Sequence, residues 1–129
     1  MAEYSFIKDL SEFNTDFQKA ITLIYENFKN LHLQTILSTT KKDYFLILEL
    51  LSKLMIQVEL LRIKKNRLSG PEKKRVVLIL CRYVITEHVT ENEDLLLLYD
   101  EHADNILEKL IETSRGVNMY TFTGCCFTR

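Results

Sequence analysis

The chain has 129 residues, of which 47% are hydrophobic and 27% charged, and its net charge is −1. This length suits one domain with its own core, and the composition is typical of a globular rather than a disordered protein. The near-zero charge excludes a global attraction to nucleic acid or anionic membranes, and the 3 glycines and 1 proline disfavour a turn-rich β-sandwich.

A short helix over residues 4–10 is the first predicted element, and the first long helix begins near Asn14 or Thr15. Thr15 and Gln18 have the spacing of a capping box, in which two side chains satisfy backbone N–H groups at the helix start. Apolar residues then recur three and four apart, which predicts that they share one face of the helix. They are Phe13, Phe17, Ala20, Ile24, Phe28 and Leu31. We interpret residues 38–40 as a loop.

The second predicted helix begins near Lys42 or Asp43, where a carboxylate suits the positive end of the helix dipole, and extends to about Leu68. Its apolar residues have heptad-like spacing. They are Ile47, Leu51, Leu54, Val58 and Leu61. No segment supplies the ~20 apolar residues of a membrane-spanning helix. The nearest candidate, residues 44–58, is interrupted by Glu49, Ser52 and Lys53.

The sequence Ser69-Gly70-Pro71-Glu72 predicts the end of one helix and the start of the next. Glycine terminates helices, proline favours the first helical turn, and Ser69 with Glu72 has capping-box spacing. The third helix is predicted from about Pro71 to Glu87. Its apolar run at residues 76–81 would also fit a strand, but the cap and the basic residues before it favour a buried helix. Cys81, within this run, is a predicted core residue.

Thr90 and Glu93 repeat the capping-box spacing at the start of a fourth helix, which ends near residues 114–116 and has a polar stretch at 100–104 where it could break. The last thirteen residues alternate polar and apolar types, as in a short strand or an extended arm. The sequence therefore predicts an all-α fold. Four main helices form an antiparallel bundle domain over residues 1–116, followed by a C-terminal arm over residues 117–129.

Basic residues concentrate at the junction of the second and third helices. They are Arg62, Lys64, Lys65, Arg67, Lys73, Lys74 and Arg75. A helical hairpin would place them near one end of the bundle, where they form a predicted anion-binding or partner-binding patch. A solvated face is the plain alternative, because cations at a helix C-terminus also complement its dipole. Nine acidic residues over 87–112 give the fourth helix a negative charge, in contrast to the basic patch. They form either a solvated helix face or a second contact surface.

No catalytic, cofactor-binding or metal-binding residues are predicted. The histidines lack the helical spacing of metal sites, and the chain has no Gly-rich phosphate loop and no nucleophile elbow. Cys81, Cys125 and Cys126 are an odd set with an adjacent pair, which is not a disulfide framework and favours a reducing, intracellular compartment.

The C-terminal arm carries alternating aromatic residues, Tyr120, Phe122 and Phe127. Such residues can add to another subunit's sheet edge or lie in a groove, and we predict an interaction arm. Packing of the arm back across its own bundle is the alternative.

Residues 68–78 (LSGPEKKRVVL), 106–111 (ILEKLI) and 114–116 (SRG) resemble small helical proteins of nucleocytoplasmic large DNA viruses. Those proteins often have a GPEKK sequence, an apolar helix, an acidic loop and an I-x-x-x-I-x-x-x-S-K-G segment. The resemblance covers residues 66–120, with Arg115 where lysine is usual, and the cysteine-containing end lies outside the pattern. It implies a virion or capsid-associated role and no established activity.

These observations lead to two hypotheses. The first is a non-enzymatic structural or interaction protein, a minor virion component, which binds protein partners or copies of itself through helix faces and the C-terminal arm. The alternative is a nucleic-acid-binding module that uses the basic hairpin at residues 62–75.

Overall fold

The computed structural model describes residues 4–59 and 69–117, with side chains as far as Thr113, and every regular element in these ranges is helical. This confirms the predicted all-α class. The elements are a 3-10 helix (Ser5–Leu10), α1 (Thr15–Phe28), a π-helical turn (Lys29–Leu33), α2 (Gln34–Thr39), α3 (Tyr44–Glu59), α4 (Gly70–His88) and α5 (Glu93–Val117). None of the described helices is long and apolar enough to cross a membrane.

Helix α1 is capped one residue earlier than the sequence predicts. Asn14 is the N-cap, and its side chain accepts a hydrogen bond from the backbone N–H of Phe17 at 2.9 Å. The predicted capping box of Thr15 and Gln18 is therefore wrong. The Gln18 amide instead donates to the carbonyls of Leu10 (3.1 Å) and Phe13 (2.8 Å), which ties the 3-10 helix to the start of α1.

The capping box predicted at the start of α4 is confirmed. Ser69 accepts from the backbone N–H of Glu72 at 3.3 Å, and the Glu72 carboxylate accepts from the backbone N–H of Ser69 at 2.8 Å. Both bonds satisfy N–H groups that an α-helix leaves without an intrahelical partner. The start of α4 is thus specified by four consecutive residues.

The start of α5 differs from its prediction. Glu91 has a φ of 51°, outside the helical region, so the helix begins only at Glu93 and the predicted box of Thr90 and Glu93 is wrong. The Thr90 hydroxyl instead accepts from Lys42 at 2.9 Å, which joins the loop before α3 to the loop before α5. Helix α5 then runs without a break through residues 100–104, where the sequence allowed one.

A π-helical turn changes which side chains of the first long helix reach the core. The backbone stays helical through the turn, with φ/ψ of −58°/−44° at Lys29 and −60°/−47° at Leu33. A π turn adds one residue to the helical repeat, so the buried positions shift by one. Phe28 and Leu33, five residues apart, are buried, whereas Leu31 is 70% exposed. The prediction that Leu31 continues the buried face is therefore wrong.

In the described residues, the core lies between the five α-helices and the 3-10 helix. Helix α3 contacts α1, α2, α4 and α5, and α4 also contacts α5 and the 3-10 helix. The buried residues of α3 are Leu46, Ile47, Leu50, Leu51, Leu54, Met55 and Val58. Cys81 is fully buried in α4, as predicted for a small core residue.

The π turn predicts unequal costs for two neighbouring leucines. Leu33→Ala removes a fully buried side chain and is expected to lower the free energy of unfolding by about 2–5 kcal/mol. Leu31→Ala changes an exposed side chain and should stay within about 0.5 kcal/mol. Urea denaturation followed by circular dichroism measures both. Equal costs would show that Leu31 belongs to the core and that the π turn is wrongly placed.

Candidate functional site

The predicted basic patch divides into two groups. Arg62, Lys64, Lys65 and Arg67 lie outside the described residues. Lys73, Lys74 and Arg75 lie in the first turns of α4, and each forms an ion pair within the chain. The ion pairs of Lys73, Lys74 and Arg75 therefore decide how much of their positive charge is available to a ligand or partner.

Lys73 is buried between helices. Its side chain has no exposed surface, and its Nζ lies 2.9 Å from Oε1 of Glu59, the last residue of α3. The Glu59 side chain is only 17% exposed. A charge removed from water needs a close partner of opposite sign, and the pair joins the end of α3 to the start of α4. Lys73 is thus part of the helix packing and does not lie on the surface.

Lys74 and Arg75 contact two different parts of the chain. The Lys74 Nζ lies 2.5 Å from Asp104 and 2.8 Å from Glu108, both on α5. Partial burial acts against the ammonium ion, but the hydrogen bonds to these two carboxylates raise the pKa of Lys74 above its ordinary value. Arg75 Nη1 lies 2.7 Å from Glu12, which follows the 3-10 helix.

Arg82 and Asp100 form a two-pronged pair between α4 and α5. Nε donates to Oδ1 at 2.8 Å and a terminal guanidinium nitrogen donates to Oδ2 at 3.0 Å. The hydrogen bonds to Arg82 hold the pKa of Asp100 below its usual range. Part of the acidic stretch over residues 87–112 is therefore ion-paired with basic residues of α4.

A groove of about 660 Å³ runs between the 3-10 helix, α4 and α5. Its apolar lining includes Leu78, Ile79 and Tyr83. Its charged lining consists of Asp9, Arg75, Arg82, Asp100 and Asp104. An apolar surface with charges of both signs around it suits the side chains of an amphipathic peptide.

An aromatic cluster joins the N-terminal residues to α4. Tyr4, Phe6, Tyr25 and Tyr83 have ring centroids 4.9–6.0 Å apart, mostly in edge-to-face contacts. The Tyr4 hydroxyl also donates to Glu26 at 3.0 Å. Edge-to-face pairs of this kind add to the free energy of burial. No local pattern in the sequence indicates this cluster, because its members are up to 79 positions apart.

Tyr25 and His88 form a polar pair beside this cluster. The Tyr25 hydroxyl lies 2.7 Å from Nε2 of His88. Burial raises the pKa of Tyr25, so the phenol keeps its proton, and the tautomer of the His88 ring decides which of the two groups donates the hydrogen bond. Burial, together with the nearby Lys29, lowers the pKa of His88, against a smaller opposite effect of Glu87. Their separation of 63 residues again left no local signal in the sequence.

Neither the buried cysteine nor the acidic and histidine side chains of the described residues form a reactive or metal-binding site. Burial raises the pKa of the Cys81 thiol, which disfavours the reactive thiolate. Among the described residues, no group of three or more His, Cys, Asp or Glu side chains could hold a metal ion. The predicted interaction residues Tyr120, Phe122 and Phe127, like Cys125 and Cys126, lie outside the described residues.

Comparison of the chain with protein-family models, curated proteins and solved structures found no match. The residues that carry the viral resemblance have structural roles in this fold. Ser69 and Glu72 cap α4, Lys73 and Lys74 form ion pairs, and Val76 is buried in the core.

The Tyr25–His88 pair predicts a pH dependence of stability. The folded chain holds the pKa of His88 below the value of 6.5 expected in the unfolded chain, so unfolding at lower pH takes up a proton. The stabilisation is complete above about pH 6.5 and is lost as the pH falls towards the folded pKa. Urea unfolding at several pH values between about 7.5 and 5.5 measures this loss.

His88→Gln keeps a hydrogen-bond acceptor for Tyr25 but cannot be protonated, so we expect a shallower fall in unfolding free energy over this range. His102→Gln, on the exposed surface of α5, is the matched control and should keep the wild-type slope. A wild-type slope in His88→Gln would contradict the prediction.

Proposed function

We propose that this protein is a non-enzymatic structural and interaction protein that binds its partners through helix faces and the C-terminal arm. The main support is a group of large apolar side chains on the surface. They are Leu23, Leu31, Tyr44, Phe45, Ile56 and Leu97. Burial of such side chains against a partner is favourable, and exposed apolar side chains that lie side by side, as Tyr44 and Phe45 do, are typical of contact surfaces.

The architecture that presents these surfaces is, in this proposal, an antiparallel bundle of four main helices followed by the arm at residues 117–129. The order of contacts supports it. Lys74, near the start of α4, contacts Glu108, whereas Leu78 and Arg82, farther along α4, contact the earlier residues Tyr99 and Asp100 of α5. Helices α3 and α4 meet at Glu59 and Lys73, whereas the residues before α3 meet the loop after α4 at Lys42 and Thr90.

The biological setting we propose is a minor virion or capsid-associated component of a large DNA virus, made in a reducing intracellular compartment. The resemblance over residues 66–120 supports the viral part. The unpaired, buried Cys81 and the adjacent Cys125 and Cys126 support the reducing compartment. Mass spectrometry of purified virions, together with crosslinking in infected cells, would show whether the chain is present and what it touches.

Removal of residues 117–129 tests the arm. If the arm binds partners and does not pack on its own bundle, the truncated chain should keep its helical circular dichroism and its melting temperature to within a few degrees. Its assembly with partners or with itself should weaken, as measured by crosslinking and sedimentation velocity. Substitution of Tyr120, Phe122 and Phe127 by serine in the full chain is the matched variant. Unchanged assembly in both variants would contradict a role of the arm.

The alternative, a nucleic-acid-binding module, now depends mainly on Arg62, Lys64, Lys65 and Arg67, because the three other residues of the patch are ion-paired. Binding of DNA or RNA should then weaken with salt, and replacement of these four residues by glutamine should reduce the salt slope by up to ~3. Replacement of four exposed lysines elsewhere is the control. They are Lys8, Lys19, Lys41 and Lys109. No binding at low salt would reject this alternative.

A further inference from the structure

The outer face of the first long helix has an unusual composition. Between residues 23 and 38 all of its exposed residues are uncharged, in a chain of which 27% is charged. They are Leu23, Asn27, Asn30, Leu31, Gln34, Thr35 and Ser38. We call this set the neutral face. Depletion of charge at an exposed surface is typical of the centre of a protein interface.

The charged residues within this stretch are directed towards the body of the protein. Glu26 is half-buried and accepts a hydrogen bond from Tyr4 at 3.0 Å. Lys29 is also half-buried, with its Nζ 5.8 Å from the centroid of the Tyr25 ring. The loss of charge from the surface is thus a consequence of how this helix packs as well as of its composition.

Two large apolar side chains stand on the neutral face. Leu23 is 60% exposed and Leu31 is 70% exposed. Leu31 is there because the π turn directs Leu33 into the core in its place. Leu23, Asn27 and Leu31 are four residues apart, which places them in one row along the exposed side.

This row is symmetric about Asn27, and a symmetric row can bind an identical row that runs in the opposite direction. We propose that the neutral face binds the same face of a second copy of this chain, with a two-fold axis at Asn27. The inference rests on the proposed function and names one of its partners. Leu23 then packs against the partner's Leu31, Leu31 against the partner's Leu23, and the two Asn27 amides meet at the axis.

The surroundings of the axis favour this pairing over a charged partner. Residues farther from the axis meet neutral ones: Lys19 lies opposite the partner's Thr35, and Asp16 opposite the partner's Ser38, so no like charges meet. A charged helix face, such as the exposed side of α5 with Asp94 and Glu101, would lose hydration against the neutral face without an opposite charge in return. The neutral face is therefore best matched by itself.

The size of the face sets the strength of the dimer. Two leucines and five polar residues from each copy are well below the roughly 20–30 residues a side of a standard interface, so the contact belongs with small, weak interfaces. We therefore expect a weak dimer, with a dissociation constant of roughly 10 µM to 1 mM. Its population then depends on protein concentration.

Sedimentation velocity of the full chain at concentrations from about 5 µM to about 500 µM covers most of this range. We expect the mean mass to rise with concentration in the wild type. Leu23→Asp and Leu31→Asp should each weaken the dimer at least ~10-fold, because a carboxylate would be buried in the interface. Asn105→Asp, which adds the same charge at an exposed position of α5, is the control and should leave the dimer unchanged.

Crosslinking tests the position of the axis. In a chain with Cys125→Ser and Cys126→Ser, Asn27→Cys should give a covalent dimer with a short bismaleimide, because the two substituted residues lie next to each other across the axis. Asn105→Cys, at an exposed position of α5, is the control and should give much less. Cys81 is buried and is left in place.

A chain that stays monomeric across the concentration range would overturn the inference, as would a dimer that Leu23→Asp and Leu31→Asp leave intact. The truncated chain, residues 1–116, separates this inference from the role of the arm. A dimer that survives truncation but is lost in Leu31→Asp supports the neutral face whatever the arm does. A dimer that is lost on truncation and unaffected by Leu31→Asp assigns self-association to the arm and overturns the inference.

Discussion

Helix α3 is apolar around most of its circumference and has to be covered on several sides. Six of its residues, Leu46, Ile47, Leu50, Leu51, Leu54 and Val58, have no exposed surface. Burial of each such side chain stabilises the fold by about 1.5–3 kcal/mol. Because α3 contacts α1, α2, α4 and α5, its burial fixes where the other helices can lie. The charged pairs and the exposed faces follow from that arrangement.

The charges of the described surface act largely between helices. Arg82 with Asp100, and Lys74 with Asp104 and Glu108, join α4 to α5, and Arg75 with Glu12 joins α4 to the N-terminal residues. Exposed pairs of this kind stabilise proteins only slightly, but they select one relative position of the helices over others. The same pairs partly neutralise the acidic and basic stretches, so that less unpaired charge remains on the described surface.

The N-terminal residues depend on aromatic contacts for their place in the fold. Tyr4 and Phe6 pack against Tyr25 and Tyr83, and the Tyr25–His88 hydrogen bond lies at the edge of this cluster. One side of α1 is thereby held against α4 while its other side faces solvent. The neutral face with Leu23 and Leu31 is that other side, so the aromatic cluster and the proposed self-association surface belong to opposite sides of the same helix.

The sequence by itself determined what depends on neighbouring residues: the all-α class, the cap of Ser69 and Glu72, the helical nature of the apolar run at residues 76–81 and the burial of Cys81. These follow from helical periodicity and from hydrogen bonds a few residues apart. Only the tertiary structure decided that Leu33 is buried and Leu31 exposed, because periodicity assumes a constant rotation per residue and a π turn interrupts it. The tertiary structure also decided two hydrogen-bonded pairs, Tyr25–His88 and Arg75–Glu12. In each pair the two partners are 63 residues apart in the sequence, and only the packing of the helices brings their side chains together.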